Sequence, residues 1–129
     1  MSVIGNDGKF RIHEVCTNQG GSIGLFGNNR DLALAMGASA KGGRVVLNNP
    51  AGKSVMYLRT DSNGGDVDIA NNAGTVVGAF GTNSRGDADL LVMNKEGKRV
   101  GWLTTLESGQ SGGFQLLNPA TDVPVFRAP

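Results

Sequence analysis

The sequence predicts an all-β chain built from two-strand units of 22 to 24 residues, and three observations carry that prediction. Glycine is abundant, at 21 of 129 residues, well above the usual share of about 7%. It is spread along the chain without a Gly-X-Y period, so it marks many tight turns and not collagen. Apolar residues alternate with polar ones in short runs, which is the signature of strands. An Asn-x-x-Gly turn recurs between those runs, as in Gly42–Leu58 (GGRVVLNNPAGKSVMYL), Gly64–Phe80 (GGDVDIANNAGTVVGAF) and the stretch from Gly86 (GDADLLVMNKEGKRVGWL).

Each element follows from one frame. Anchored on Gly52, apolar residues fall seven and five positions earlier (Val45, Leu47), Asn49 three earlier, and Val55 and Leu58 three and six later. Gly74 gives Val67, Ile69, Asn71, Val77 and Phe80, and Gly97 gives Leu90, Val92, Asn94, Val100 and Leu103. The first half of each unit reads as a strand. Asn followed three residues later by Gly fits a type I turn whose last residue takes a left-handed conformation, a common hairpin closure. Positive φ is therefore expected at Gly52, Gly74 and Gly97, with Asn49, Asn71 and Asn94 at the turn corners. The second half is again strand-like, and a Gly/Ser/Asn segment returns the chain.

The frame decays outward. Centred on Arg30 it still gives Ile23, Leu25, Ala33 and Met36; centred on Thr121 or Gly8 it slips. One domain over 1–129 is expected, with an N-terminal cap at 1–19, regular repeats at 20–111 and a C-terminal cap at 112–129. Eleven or twelve strands fit, and no helix. The apolar frame positions Val45, Leu47, Val67, Ile69, Val77, Phe80, Leu90, Val92, Val100 and Leu103 are the expected core.

In the second strand of each unit, Val55, Tyr57, Val100 and Trp102 fall on one face and Met56, Leu58, Gly78 and Phe80 on the other. Two partly apolar faces imply covering from both sides, for example by neighbouring chains. A small-residue interior buries little area per chain, which favours association. The expected architecture is a β-prism or β-solenoid, with an intertwined homotrimer preferred. A monomeric barrel of about ten strands, the alternative, would close its own edges.

The repeat GGxVxLxNxxGxxVxxL, over about residues 20–118, resembles the repeats of fibrous trimeric β-structures in phage tail fibres and spikes and in bacterial surface or secreted proteins. That resemblance implies a shaft module on a virion or cell surface, with a fibre neighbour or a glycan as further partner.

Chemistry is sparse. Charge is balanced, 12 Lys+Arg against 11 Asp+Glu, with no basic stripe for nucleic acid. No apolar run reaches the length of a membrane helix, and no signal-peptide pattern opens the chain. His13 is the single histidine and Cys16 the single cysteine, so neither a common zinc site nor an internal disulfide is expected. Asp61, Asn63, Asp66 and Asp68, and one unit later Asn83, Asp87 and Asp89, could offer oxygen ligands to calcium. No glutamate closes either loop, and turn formation explains them. Arg85-Gly86-Asp87 falls where the repeat already calls for Gly and Asp. The Ser/Gly segment at 108–113 lacks the strand-to-helix elbow of a nucleophilic serine. No catalytic, cofactor or metal residue is expected, and the chain reads as non-enzymatic. A lectin-like alternative would use Tyr57 and Trp102 to stack on sugars.

Overall fold

A computed structural model describes residues 1–105 and 111–128. Among them there are twelve strands and no helix: β1 (Ser2–Ile4), β2 (Phe10–Thr17), β3 (Gly20–Phe26), β4 (Leu32–Ser39), β5 (Gly42–Asn48), β6 (Ser54–Thr60), β7 (Gly65–Ala70), β8 (Val76–Thr82), β9 (Ala88–Met93), β10 (Arg99–Thr105), β11 (Gly112–Asn118) and β12 (Val123–Ala128). They form one antiparallel sheet in strict chain order, β1 to β12. β1 and β12 are its two edges, so the sheet is open and the ten-strand barrel is not the fold. Among the described residues, substantial contacts join only consecutive strands, so no second layer of them packs on the sheet.

Five-residue turns close one end of the hairpins. In the turn at 49–53, Gly52 N–H donates to the Asn49 carbonyl at 2.9 Å and Asn49 N–H to the Lys53 carbonyl at 2.8 Å. The turns at 71–75 and 94–98 repeat this pattern. Gly52, Gly74 and Gly97 have φ of 74°, 88° and 80°. Where the frame lacks glycine, Arg30 (φ 68°) takes the left-handed conformation at the frame centre, and Asp122 (φ 56°) takes it one residue beyond the Thr121 centre.

Six of the hairpins also hold a β-bulge, at the strand that leaves the five-residue turn. Leu47 pairs with Met56 and Asn48 with Ser54, leaving Val55 unpaired. Val77 and Val100 are skipped in the same way, as are Arg11, Ala33 and Val125. The fixed apolar residue three positions after the turn glycine is thus a bulge residue, and Val77 and Val100 are not ladder positions on the face of the other expected core residues. The turn alone does not require the bulge. The turn at 83–87 makes the same hydrogen bonds, yet Asp89, three residues after Gly86, pairs regularly with Gly81.

Candidate functional site

Cross-strand register places side chains of paired residues on the same face. Following the pairs from β1 to β12 gives a rim row nearest the five-residue turns. It runs Val3, Ile12, Leu25, Leu34, Leu47, Met56, Ile69, Gly78, Val92, Gly101, Leu116 and Phe126. Two residues along each strand is a middle row: Ile23, Met36, Val45, Leu58, Val67, Phe80, Leu90, Leu103 and Phe114, with Glu14 at one end and Ala128 at the other. A third row on the same face is small: Cys16 and Gly21, Ala38 and Gly43, Thr60 and Gly65, Thr82 and Ala88, Thr105 and Gly112.

Eight of the expected core residues (Val45, Leu47, Val67, Ile69, Phe80, Leu90, Val92, Leu103) therefore share one face. Within a single chain that face is open. Ile69 is 48% exposed, Phe80 55% and Val92 50%, while among the described residues the buried apolar side chains are Ala70 and Leu117. A groove of about 720 Å³ runs along the small-residue side of this face, over β2 to β7.

The opposite face pairs most of its polar groups within the chain, the buried Trp102 Nε1 being without a partner among the described residues. Arg59 pairs with Asp66 at 3.3 Å and Asp68 at 2.8 Å. Asp89 accepts hydrogen bonds from Thr104 and Asn83. This face is mixed, so the unbroken apolar surface lies on one side of the sheet and not on both. Of the residues that suggested a second apolar face, Val55 and Val100 are unpaired bulge residues, while Tyr57 and Trp102 stand on this face in a row with Val46, Asp68, Ala79 and Leu91.

Tyr57 and Trp102 do occupy one row of the mixed face, but β7, β8 and β9 lie between them. The Arg99 guanidinium covers the Trp102 ring at 5.5 Å. The two rings do not converge on a single sugar.

Asparagine does two jobs along the turn end. Asn49 Oδ1 accepts from the backbone of Ala51 and Lys53, both at 3.0 Å, closing its own turn. Its Nδ2 donates to the Asn72 carbonyl of the next turn at 3.3 Å. Asn71 repeats both roles, reaching the Lys95 carbonyl at 3.2 Å. Asn94 closes its turn through Glu96 and Lys98, and the Arg99–Asp122 ion pair ties this turn region to the last one. Lys9 and Arg11 clasp the first turn to the second through the carbonyls of Asn28 and Gly27. The turn Asn alone was visible in the sequence; its Nδ2 bond to the neighbouring turn depends on the register and was not.

The acidic loops are occupied by the chain itself. Asp61 caps Asn63 and Gly64, and Asp87 pairs with Arg85 at 3.0 Å. That pair and the Arg85 bond to the Thr105 carbonyl engage the charged side chains of Arg-Gly-Asp within the chain, with Arg85 still exposed. His13 meets Ser2 at 3.0 Å and Cys16 is exposed. Among the described residues no cluster of metal-ligating side chains occurs, and no helix is long and apolar enough to cross a membrane. The Ser/Gly segment 108–113 lies partly outside the described residues. No protein-family model matches the chain, nor does any curated protein. Fold and site together define a single-layer antiparallel β-meander with one uncovered apolar face.

Proposed function

We propose that this chain is a structural module, one wall of a β-prism shaft in which three copies close with their apolar faces inward, serving a fibre, spike or surface assembly. One observation carries the reading. A folded monomer of 13.3 kDa exposes roughly 6,500 Å² by the usual scaling with mass, whereas this chain exposes 8524 Å². The excess, about 2,000 Å² per chain, is on the scale that obligate homo-oligomers bury. It accompanies a face whose apolar rows run from edge to edge.

The dimensions suit a shaft. Twelve strands spaced about 4.8 Å apart make a wall roughly 53 Å long, and strands of about seven residues make it roughly 24 Å wide. The apolar rows then run along the long axis, where three walls can enclose them. Small-angle X-ray scattering tests the shape: three walls around a dry interior are expected, and the profile of an isolated one-sheet slab would overturn the proposal.

A further inference from the structure

The small-residue row contains glycines that the chain's own fold does not require. Gly20, Gly42 and Gly64 are different: each has positive φ, and a Cβ would lie 1.8, 2.3 and 2.4 Å from Ala38, Thr60 and Thr82. Their immediate successors Gly21, Gly43 and Gly65 do not have positive φ. A Cβ on Gly21, Gly43 or Gly65 would meet its nearest atom at 3.7, 3.9 and 3.9 Å, ordinary contact distances. Glycine in a strand weakens it, because it gives up more chain freedom and packs nothing. Its return at the same row of β3, β5 and β7 therefore points outside the chain, to a surface that approaches the backbone closely. These glycines floor the groove of about 720 Å³, which Ile23, Val45 and Leu58 wall on the middle-row side.

We propose that this groove seats the turn-end rim of a second copy of this chain, head to tail, so that each wall's rim row lies in its neighbour's glycine groove and three copies close a ring. The inference rests on the assembly reading above and specifies how the copies meet. Rim and groove lie at opposite ends of the same strands. When each rim meets the groove of a different neighbour the contact is heterologous, and such contacts close into rings when the rotation permits. Large side chains on the rim (Leu25, Leu34, Leu47, Met56) facing glycine and alanine on the groove floor give the large-to-small match of a packed interface. A two-fold axis along the wall would seat each rim in the other copy's groove and close at two chains, so the number of chains in the cross-linked product separates that closure from the ring.

Cys16 lies on the groove row, and Ile12 lies on the rim row of the same strand. Four residues along a strand span about 13 Å, too far for a disulfide within one chain. The experiment is mild oxidation of Ile12→Cys and, separately, Leu25→Cys, each retaining Cys16, read on a non-reducing gel beside the parent chain. With one thiol the parent can form covalent dimers at most. A covalent trimer from either two-thiol variant is the expected result. An oligomer in solution that yields only dimers or no cross-link from both variants overturns the head-to-tail contact while leaving the assembly standing. A chain that is monomeric in solution overturns both.

The second measurement fills the groove. Gly43→Leu has room in its own chain, so far-UV circular dichroism should stay unchanged while the particle mass falls to that of one chain. Full assembly of Gly43→Leu would also overturn the proposal.

Discussion

The two faces of the sheet differ in whether one chain completes them. On the mixed face, Arg59 holds Asp66 and Asp68, Thr104 and Asn83 bond Asp89, and Ala70 and Leu117 are covered. On the apolar face, Phe80, Leu90, Leu103 and Phe114 stand in line with nothing over them. The same strands supply both, alternate residues facing opposite sides except where a bulge shifts the alternation. A polar group can be satisfied by a cross-strand partner in the same layer, whereas an apolar side chain leaves water only when another layer covers it. A one-layer sheet can therefore pair most of its polar face, here all but Trp102 Nε1 among the described buried groups of that face, and cannot cover its apolar one.

The sharpest way to break this comparison is to place a charge on each face. Leu90→Lys puts an ammonium into the proposed shared interior, where an unpaired buried charge costs about 3–5 kcal/mol. Assembly should be lost. Arg127→Ala on the mixed face, exposed and outside the groove, should leave both mass and melting unchanged. Equal effects in a thermal melt with light-scattering readout would erase the distinction between the faces.

A second contrast separates the two ends of the strands. Gly74 has φ of 88° and nothing within 4 Å of a Cβ, so conformational strain is its only penalty. Gly74→Asn should be nearly tolerated and Gly74→Val should cost roughly 1–2 kcal/mol, because asparagine enters the left-handed region far more readily. At Gly42 a Cβ would run into the Thr60 carbonyl, so Gly42→Asn should be as damaging as Gly42→Val. Melting temperatures of the four variants check both statements.

A smaller effect is expected from the link between turns. Asn71→Asp keeps the oxygen that closes its own turn and loses the amide donor to the Lys95 carbonyl. The cost should be about 0.5–1.5 kcal/mol, and hydrogen exchange should rise at both the 71–75 and 94–98 turns. A change confined to the first of them would show that the bridge contributes nothing.

The smallest effect concerns acid. A hydrogen bond from the Lys9 backbone N–H holds the exposed Asp7 carboxyl below its ordinary value of 3.8; desolvation opposes it, and the charges of Arg11 and then Lys9 add smaller lowering contributions. Because the folded value is the lower one, this contribution is complete above that range and fades as pH falls through it. The first hairpin should loosen only in acid. Asp7→Asn should flatten that dependence, seen as amide exchange in β1 and β2.

The all-β class, the turn positions and the residues of the apolar face were legible because alternation and the Asn-x-x-Gly spacing are local properties. The bulges were not. Val77 and Val100 look like ladder residues until the pairing of the opposite strand is known, and one skipped residue changes what each face contains. The groove was equally hidden. Gly42 and Gly43 are identical in the sequence, and only φ and the neighbouring strand separate a glycine the fold requires from one it leaves free. The extra Asn turn at 83–87 was also missed, because its spacing falls half a unit out of frame.

The central claim is that the apolar face is an interior shared among copies, and mass in solution tests it most directly. Native mass spectrometry or light scattering at micromolar concentration should find a particle of three 13.3 kDa chains, and a single chain for Leu90→Lys. A stable monomer of the parent chain, folded and soluble at that concentration, would contradict the account.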